Sequence, residues 1–308
     1  MTDYGHDLRF GAFLTPTNRD PHGVVDLART ADAVGLDLVT FQDHPYQPRF
    51  LDTWTLLTYV AAQTEHVHVA PNVLNVPLRP PAVVARAAAS LDLLSGGRVE
   101  LGLGAGGFLD AVAAMGGPRL TPRQSVDALE EAIDVIRGVW DTTASGVFRV
   151  DGDHHHVDGA KRGPAPAHDI GIWLGAYKPR MLRLTGAKAD GWLPSLPMAP
   201  SLQALAEANA VIDEAATAAG RTPGDVVRLL NVTGTFSPEP ADDDRRLDGP
   251  PERWVERLTM LTRDLGFSTF ILMADDAHTL EVYGREIAPA VREAVAAERA
   301  GAAAERVG

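Results

Sequence analysis

The 308-residue chain contains no cysteine. That excludes disulfides, thiolate catalysis, iron–sulfur clusters and zinc sites built on thiolates. Aromatic residues are scarce at 6%, and only Lys161, Lys178 and Lys188 represent lysine among 28 basic residues. Positive charge is in deficit: 41 acidic residues give a formal net charge of −13. A nucleic acid or an anionic membrane surface needs a basic face, so neither is expected as a partner. No apolar run approaches the roughly 20 residues that span a bilayer. Residues 1–7 lack the basic and apolar stretches of a secretory leader. The expectation is a cytoplasmic protein with a small-molecule partner. What the chain has is apolar mass, 45% hydrophobic residues, enough for one large core in a single domain over residues 1–308.

The apolar residues fall into alternating short runs and amphipathic stretches. Strands are expected at Leu8–Leu14, Asp37–Phe41, Val67–Leu74, Arg98–Leu103, Ile170–Gly175, Gly191–Ser195, Val226–Phe236 and Ser268–Met273. Helices are expected at Pro21–Val34, Thr53–Gln63, Pro81–Leu94, Thr121–Trp140, Pro179–Ala189, Ser201–Ala219, Glu252–Leu265 and from Thr279. Thr121 is a natural N-cap with Pro122 in the first helical position. Strands such as Phe270-Ile271-Leu272-Met273 are apolar on both faces, as a parallel sheet covered by helices requires. Eight such units favour an α/β fold closed as a (β/α)8 TIM barrel; an open doubly wound sheet is the alternative. The glycine- and proline-rich stretch 145–169 breaks the pattern and reads as a small hairpin insertion. The Ala-rich, charged tail 294–308 is expected to fray.

In such a barrel the chemistry sits where strands end. The polar candidates there are Thr15 with Asn18, Asp43-His44, Asn72 with Asn75, Gly104–Gly107, Tyr177-Lys178, Ser195, Asn231 with Thr233, and Asp275-Asp276. His44 is the best single acid–base group, because imidazole exchanges protons near neutral pH. Gly104-Ala105-Gly106-Gly107 presents bare amides that suit a phosphate. It matches neither the dinucleotide fingerprint nor a Walker loop. Arg79, in a proline-studded loop, offers a charge or a structural ion pair. His154-His155-His156 lies in an extended hairpin, where neighbours face opposite sides. No further ligand accompanies it, so no metal site is read. Asp242-Asp243-Asp244 reads as a solvated loop.

Four ordered segments resemble the luciferase-like flavin-dependent oxidoreductase superfamily. They are Gly35-Leu36-Asp37 through Asp43-His44; Pro71-Asn72-Val73 through Arg79-Pro80-Pro81-Ala82; Leu91-Asp92 through Gly96-Gly97-Arg98 to Gly106; and Ile172-Trp173-Leu174-Gly175-Ala176 through Ala189-Asp190-Gly191-Trp192. The hairpin also sits where that family carries an insertion. The resemblance implies the same barrel, a homodimer, and a bound FMN or deazaflavin F420. Gly175-Ala176-Tyr177-Lys178-Pro179 with Asp43-His44 is similar to the F420-using branch. The resemblance further implies a non-proline cis peptide near Asn72-Val73, forming a bulge behind the flavin ring. It implies cofactor contacts from Gly104, Ala105, Gly106, Gly107, Gly175, Ala176 and Tyr177. It places His44 at the reactive carbon with Asp43 beside it, as the catalytic pair.

One departure narrows the substrate. Sugar-phosphate dehydrogenases of that branch carry a Glu where Gly107 stands, and their phosphate-gripping lysines have no counterparts here. Glucose 6-phosphate is therefore not expected. The reading is hydride transfer between F420 and an organic substrate. The alternative is an FMN-dependent monooxygenase using O2, fed by a separate flavin reductase. A cofactor-binding carrier and a metal-dependent hydrolase, using the His154-His155-His156 cluster with Asp275-Asp276, are the rivals from other classes. Thr15, Tyr46, Arg49, the hairpin and the Ser237–Pro251 loop are expected to line the substrate pocket.

Overall fold

A computed structural model describes residues 2–239 and 243–305. Eight strand–helix units follow in order: β1 (Arg9–Leu14), α1 (Pro21–Ala33), β2 (Leu38–Phe41), α2 (Thr53–Ala61), β3 (His68–Pro71), β4 (Leu74–Asn75), α3 (Pro81–Ser95), β5 (Leu101–Gly104), α4 (Leu109–Ala114) and α5 (Pro122–Trp140). A hairpin, β6 (Phe148–Asp151) and β7 (His156–Ala160), precedes β8 (Ile172–Leu174), α6 (Pro179–Lys188), β9 (Gly191–Trp192) and α7 (Leu202–Ala218). Then come β10 (Val227–Val232), α8 (Pro251–Leu265), β11 (Thr269–Met273), α9 (Ala277–Val282) and α10 (Ala288–Glu305).

The parallel strands run in the order β3-β2-β1-β11-β10-β9-β8-β5-β4. Backbone bonds between Val69 and its neighbours Arg98 and Glu100 join the two ends. The sheet thus closes as a barrel, and β3 and β4 are two halves of one stave. The expected Val67–Leu74 strand is split at the Asn72-Val73 peptide, which is cis. Pairing to β2 stops at Pro71, and pairing to β5 resumes at Leu74.

Side chains alternate across each stave, as a period of two requires. Phe10, Val39, Leu101, Ile172, Leu230 and Phe270 pack outward against the helices. Leu38, Ala70, Trp173, Leu193, Leu229 and Ile271 form a separate inner cluster. Trp173 fills much of that interior, and glycines beside it make room. A Cβ on Gly191 would sit 2.5 Å from the Trp173 ring.

Helix ends follow local chemistry. Asp20, Asp52, Ser201 and Asp276 cap their helices, and Thr121 with Gln124 forms a capping box. The buried stripe of α5, including Leu129, Ile133 and Ile136, gives it one apolar face. The hairpin is tied to that helix through Glu131, which accepts the backbone N–H groups of Asp153, His154 and His155.

Three expectations need correction. Helix α4 adds to the expected set; Gly106, Gly107, Gly116 and Gly117 flank its short periodic run and obscure it in the sequence. The final helix starts at Ala277, capped by Asp276, and passes through one wide π turn at Tyr283–Ile287. Residues 294–305, expected to fray, continue α10; Arg299 anchors them by binding the Asp3 carboxylate and the His6 carbonyl. Residues 306–308 of the tail and Asp242 of the acidic loop lie outside the described residues. No helix among the described residues is long and apolar enough to cross a membrane.

Gly102 faces the interior, and a Cβ there would lie 2.2 Å from the Pro71 carbonyl oxygen. Gly102→Ala is expected to lower stability by about 1–3 kcal/mol or more, as overpacking does. Gly107→Ala, with open space around the added Cβ, should stay within about 0.5 kcal/mol. Urea unfolding of the two variants checks the contrast.

Candidate active site

Four of the eight strand ends expected to carry chemistry border one cleft of about 790 Å³. Asp43, His44, Asn72, Val73, Gly104, Ala105, Gly106, Gly107, Gly175 and Tyr177 all border it. Ala176 does not: it is fully buried, and its carbonyl accepts the Trp192 indole N–H at 2.9 Å.

Val73 enters the barrel mouth at the cis peptide. Its neighbours across the mouth are glycines for a steric reason. A Cβ on Gly104 would lie 2.7 Å from Val73 Cγ2, and those on Gly102 and Gly175 at 3.3 and 3.6 Å from its methyl groups. The floor of the cleft is therefore one aliphatic side chain framed by bare backbone. Beneath it lies a polar belt. Asn72 Nδ2 donates to Asn231 Oδ1 at 2.7 Å and to Thr40 Oγ1 at 3.2 Å. Asn231 Nδ2 donates back to Asn72 Oδ1 and to Ser195 Oγ. Asn72, Ser195 and Asn231 are thus brought together from three staves.

Asp43 is 3% exposed and fully engaged. It accepts the Asn75 backbone N–H at 2.9 Å and both Nε and Nη2 of Arg79 at 3.1 and 3.0 Å. Arg79 Nη2 also reaches Asp52 at 2.8 Å. This fork pairs two carboxylates with one guanidinium and pins the β4–α3 loop to β2. Burial opposes the Arg79 charge, but Asp43 and Asp52 outweigh it and raise its pKa further. Arg79 is thus the structural ion pair that the sequence left open, and both Asp43 oxygens are engaged in holding it and the Asn75 backbone.

His44 is half-buried beside Tyr46, with its Nδ1 2.7 Å from the Tyr46 hydroxyl. Phe108 packs edge-on against it at 5.6 Å. Its Nε2 has no partner among the described residues. Burial lowers the His44 pKa from its usual value, partly offset by the Asp43 charge.

The far end of the cleft adds Arg123 and Arg180 to the expected Lys178. Arg123, Lys178 and Arg180 line it, together with the starts of α5 and α6. Arg180 Nη1 donates to the Arg123 carbonyl at 2.9 Å, and its Nη2 pairs with Asp127. Two helix N-termini and three cations make this end attractive to an anion. The signal is present in Thr121-Pro122-Arg123 and Lys178-Pro179-Arg180, two helix starts each carrying arginine.

Among the described residues expected for the substrate pocket, only Tyr46 lines this cleft. Thr15 is held by Asp275 through its backbone N–H and hydroxyl, at 2.8 and 2.7 Å. Asp276 caps α9. The pair expected for a hydrolytic metal is thereby occupied in structural bonds. The hairpin histidines border an adjacent groove of about 500 Å³ that meets the cleft at Ala105 and Ser125. His155 bonds the Ala128 carbonyl and His156 bonds Asp151, so the three do not converge.

A parallel barrel with a cleft at its strand ends defines an enzyme-type architecture. Residues 8–306 match the model of the luciferase-like monooxygenase family, and the chain belongs to that family. It is 31% identical over 190 residues to an uncharacterised protein of Mycobacterium tuberculosis, covering 55% of this chain and 64% of that one. The chain thus spans less than two thirds of that relative. It is 30% identical to an F420-dependent glucose-6-phosphate dehydrogenase of Kribbella flavida, over 76% of this chain and 70% of that protein. An F420-dependent secondary alcohol dehydrogenase, solved with an F420–acetone adduct, superposes with a TM-score of 0.81 at 19% identity, covering 93% of this chain and 99% of the other. The oxygenating constituent of a Pseudomonas putida Baeyer–Villiger monooxygenase, solved with FMN, gives 0.74 at 21%, covering 92% and 98%. At those identities the structural likeness concerns the fold.

Removing Arg79 leaves the buried Asp43 carboxylate with a single backbone donor. Arg79→Ala is expected to cost roughly 3 kcal/mol, the scale for breaking a buried pair. Chemical denaturation of that variant against Arg119→Ala, an exposed pair, measures it.

Proposed function

We propose that the chain is an oxidoreductase that holds coenzyme F420 in this cleft and moves a hydride between it and a small organic substrate. The observation carrying this reading is the cleft itself. One aliphatic floor, bare amides at Gly104–Gly107, a cationic end and a half-buried imidazole lie along a single depression. The fit to a flat ring with an anionic tail rests on two features. A side chain on Gly104 would fill the floor. Asn75 Oδ1 is buried without a partner, and a ring N–H donor would satisfy it.

The deazaflavin supplies hydride chemistry, and the protein supplies placement. Val73 would back the ring, with Gly175 and Tyr177 alongside. Arg123 and Lys178 would hold the anionic tail. His44 would exchange the proton that accompanies the hydride, while Asp43 keeps the neighbouring loops in register through Arg79. Asp43 is accordingly a positioning residue in this reading. The F420-dependent relatives at 30% identity support the choice of cofactor. Gly107, which offers no proton, and the absence of further lysines speak against a sugar phosphate.

A second reading, reduced FMN with O2 and a separate flavin reductase, draws on the FMN-containing structural neighbour. Exposed Tyr59, Val83 and Leu94 on α2 and α3 support a homodimer. A cytoplasmic location belongs to the same reading, drawn from the acidic net charge and the small-molecule partner it suits.

Titration of the purified protein with F420 and with FMN decides the cofactor, and clearly tighter FMN binding overturns the first reading. Arg123→Ala should weaken F420 binding about tenfold, the scale of one charge-assisted bond.

His44→Ala should lower turnover by about 10²–10⁴ while cofactor affinity stays within a few-fold. The sign of the pH effect follows from the lowered pKa. In the direction of substrate oxidation neutral His44 must accept a proton. There kcat/KM should fall as pH drops through a value below 6.5. In the reducing direction the protonated form is needed, and activity should rise over the same range. Persistence of either limb in His44→Ala removes His44 from proton transfer.

A further inference from the structure

At the opposite mouth of the barrel, the N-terminal ends of the staves bring together groups that the cleft does not use. His68 opens β3, Glu100 precedes β5, and His168 lies in the segment that returns from the hairpin. One ligand atom from each lies within 4.8 Å of the other two. His68 Nδ1 and Glu100 Oε1 are 3.6 Å apart. Ligands about 2.0–2.2 Å from a tetrahedral zinc ion are about 3.3–3.6 Å from one another, so pairs wider than that must draw together to close the set.

Three observations point to a ligand there. First, His168 Nε2 is a buried nitrogen without a hydrogen-bond partner, and the equally buried His68 Nδ1 has only the Glu100 carboxylate beside it, at 3.6 Å. Buried polar atoms are nearly always satisfied, so two such nitrogens on rings 5.9 Å apart are unusual. Second, the other nitrogen of His168, Nδ1, lies 3.0 Å from the carboxylate of fully buried Asp92. That carboxylate also accepts the backbone N–H groups of Val99, Ala167 and His168, so its position is fixed. A carboxylate behind one ring nitrogen sets the proton on that side and frees the other for a metal. Third, His68 also lines a surface recess of about 520 Å³ with Arg9, Asp32, Asp37 and His66, which gives an ion and a water a way in.

We propose that His68, Glu100 and His168 bind a divalent metal ion of the zinc type, with water in the fourth position. Two imidazoles and one carboxylate suit zinc and its first-row neighbours rather than calcium or magnesium, which prefer oxygen. Arg9 Nη1 also sits on Glu100 Oε1 at 3.0 Å. That oxygen has two lone pairs, so the ion and Arg9 share it at some cost in affinity. The site lies on the face of the barrel associated with stability, not chemistry. Occupied, it ties the segment after the hairpin to two staves. It does not depend on the proposed cofactor reaction.

The test uses full-length protein stripped with a chelator and dialysed against Zn²⁺, with metal content by mass spectrometry and Co²⁺ absorption as a coordination probe. The expected result is one equivalent bound, a raised Tm, and a visible cobalt band characteristic of few-coordinate nitrogen and oxygen ligands. His68→Gln and His168→Gln should each weaken binding roughly tenfold or more, the range seen when a metal's supporting groups are lost. A His154→Gln/His156→Gln double variant should bind as the parent does. Arg9→Gln retains all three ligands and removes the competing charge, so it should tighten binding several-fold. Less than about a tenth of an equivalent in the parent protein overturns the proposal. So does binding that survives His168→Gln but is lost in the hairpin variant, and so does Arg9→Gln that fails to tighten it.

Discussion

The architecture of the cleft depends on a matter of space. Val73 projects into the barrel mouth, where each neighbouring stave would otherwise place a side chain of its own. Gly102 and Gly104 of β5 and Gly175 after β8 yield that space, with distances of 2.7–3.6 Å between Val73 methyl carbons and the positions their Cβ atoms would take. The same absence of side chains leaves backbone amides bare around the mouth. One steric accommodation therefore produces both an aliphatic floor and a polar rim. The staves pack by the usual alternation below this level, with Trp173 as the large interior plug and Gly191 giving way to it.

Charge is then distributed against the grain of the whole chain. The protein is strongly acidic, yet Arg123, Lys178 and Arg180 gather at one end of the cleft. Long-range attraction of an anion is weak over such a surface and screened within about 8 Å at physiological salt. Local donors and two helix starts are what remain effective at contact distance. At the other end the buried carboxylate of Asp43 is neutralised by Arg79. At His44 burial outweighs the Asp43 charge, and its pKa moves down.

Much of this is legible in the residues. Parallel staves are covered on both sides, so their apolar runs stand out, and the prolines and glycines between them mark the helix starts and stops. The alternation alone ranks the positions after each strand, and four of the eight ranked meet in one cleft. Boundaries are less legible. The expected Val226–Phe236 strand ends at Val232, because Thr233 and Thr235 turn to bond Leu247 and Asp248 in the following loop. Asp43 reads as a partner of His44 in chemistry, because sequence cannot show that Arg79 takes both of its oxygens. Three adjacent histidines in the hairpin stand out in the sequence, whereas His68, Glu100 and His168 do not. Their spacing carries no signal until the barrel closes and brings stave ends together.

The two mouths of the barrel thus divide the work by geometry. Strand ends at the C-terminal mouth open into loops that need not satisfy one another, so groups such as Asn75 Oδ1 and His44 Nε2 stay available to a ligand. Strand starts at the N-terminal mouth receive helix ends and the return of the hairpin, so their polar groups are drawn into ion pairs and backbone bonds. Arg9, Glu100 and Gly171 illustrate this, since the carboxylate holds both a guanidinium and a backbone N–H. Two ring nitrogens, His68 Nδ1 and His168 Nε2, stay outside those bonds, and the proposed cation would engage both while sharing the Glu100 carboxylate with Arg9.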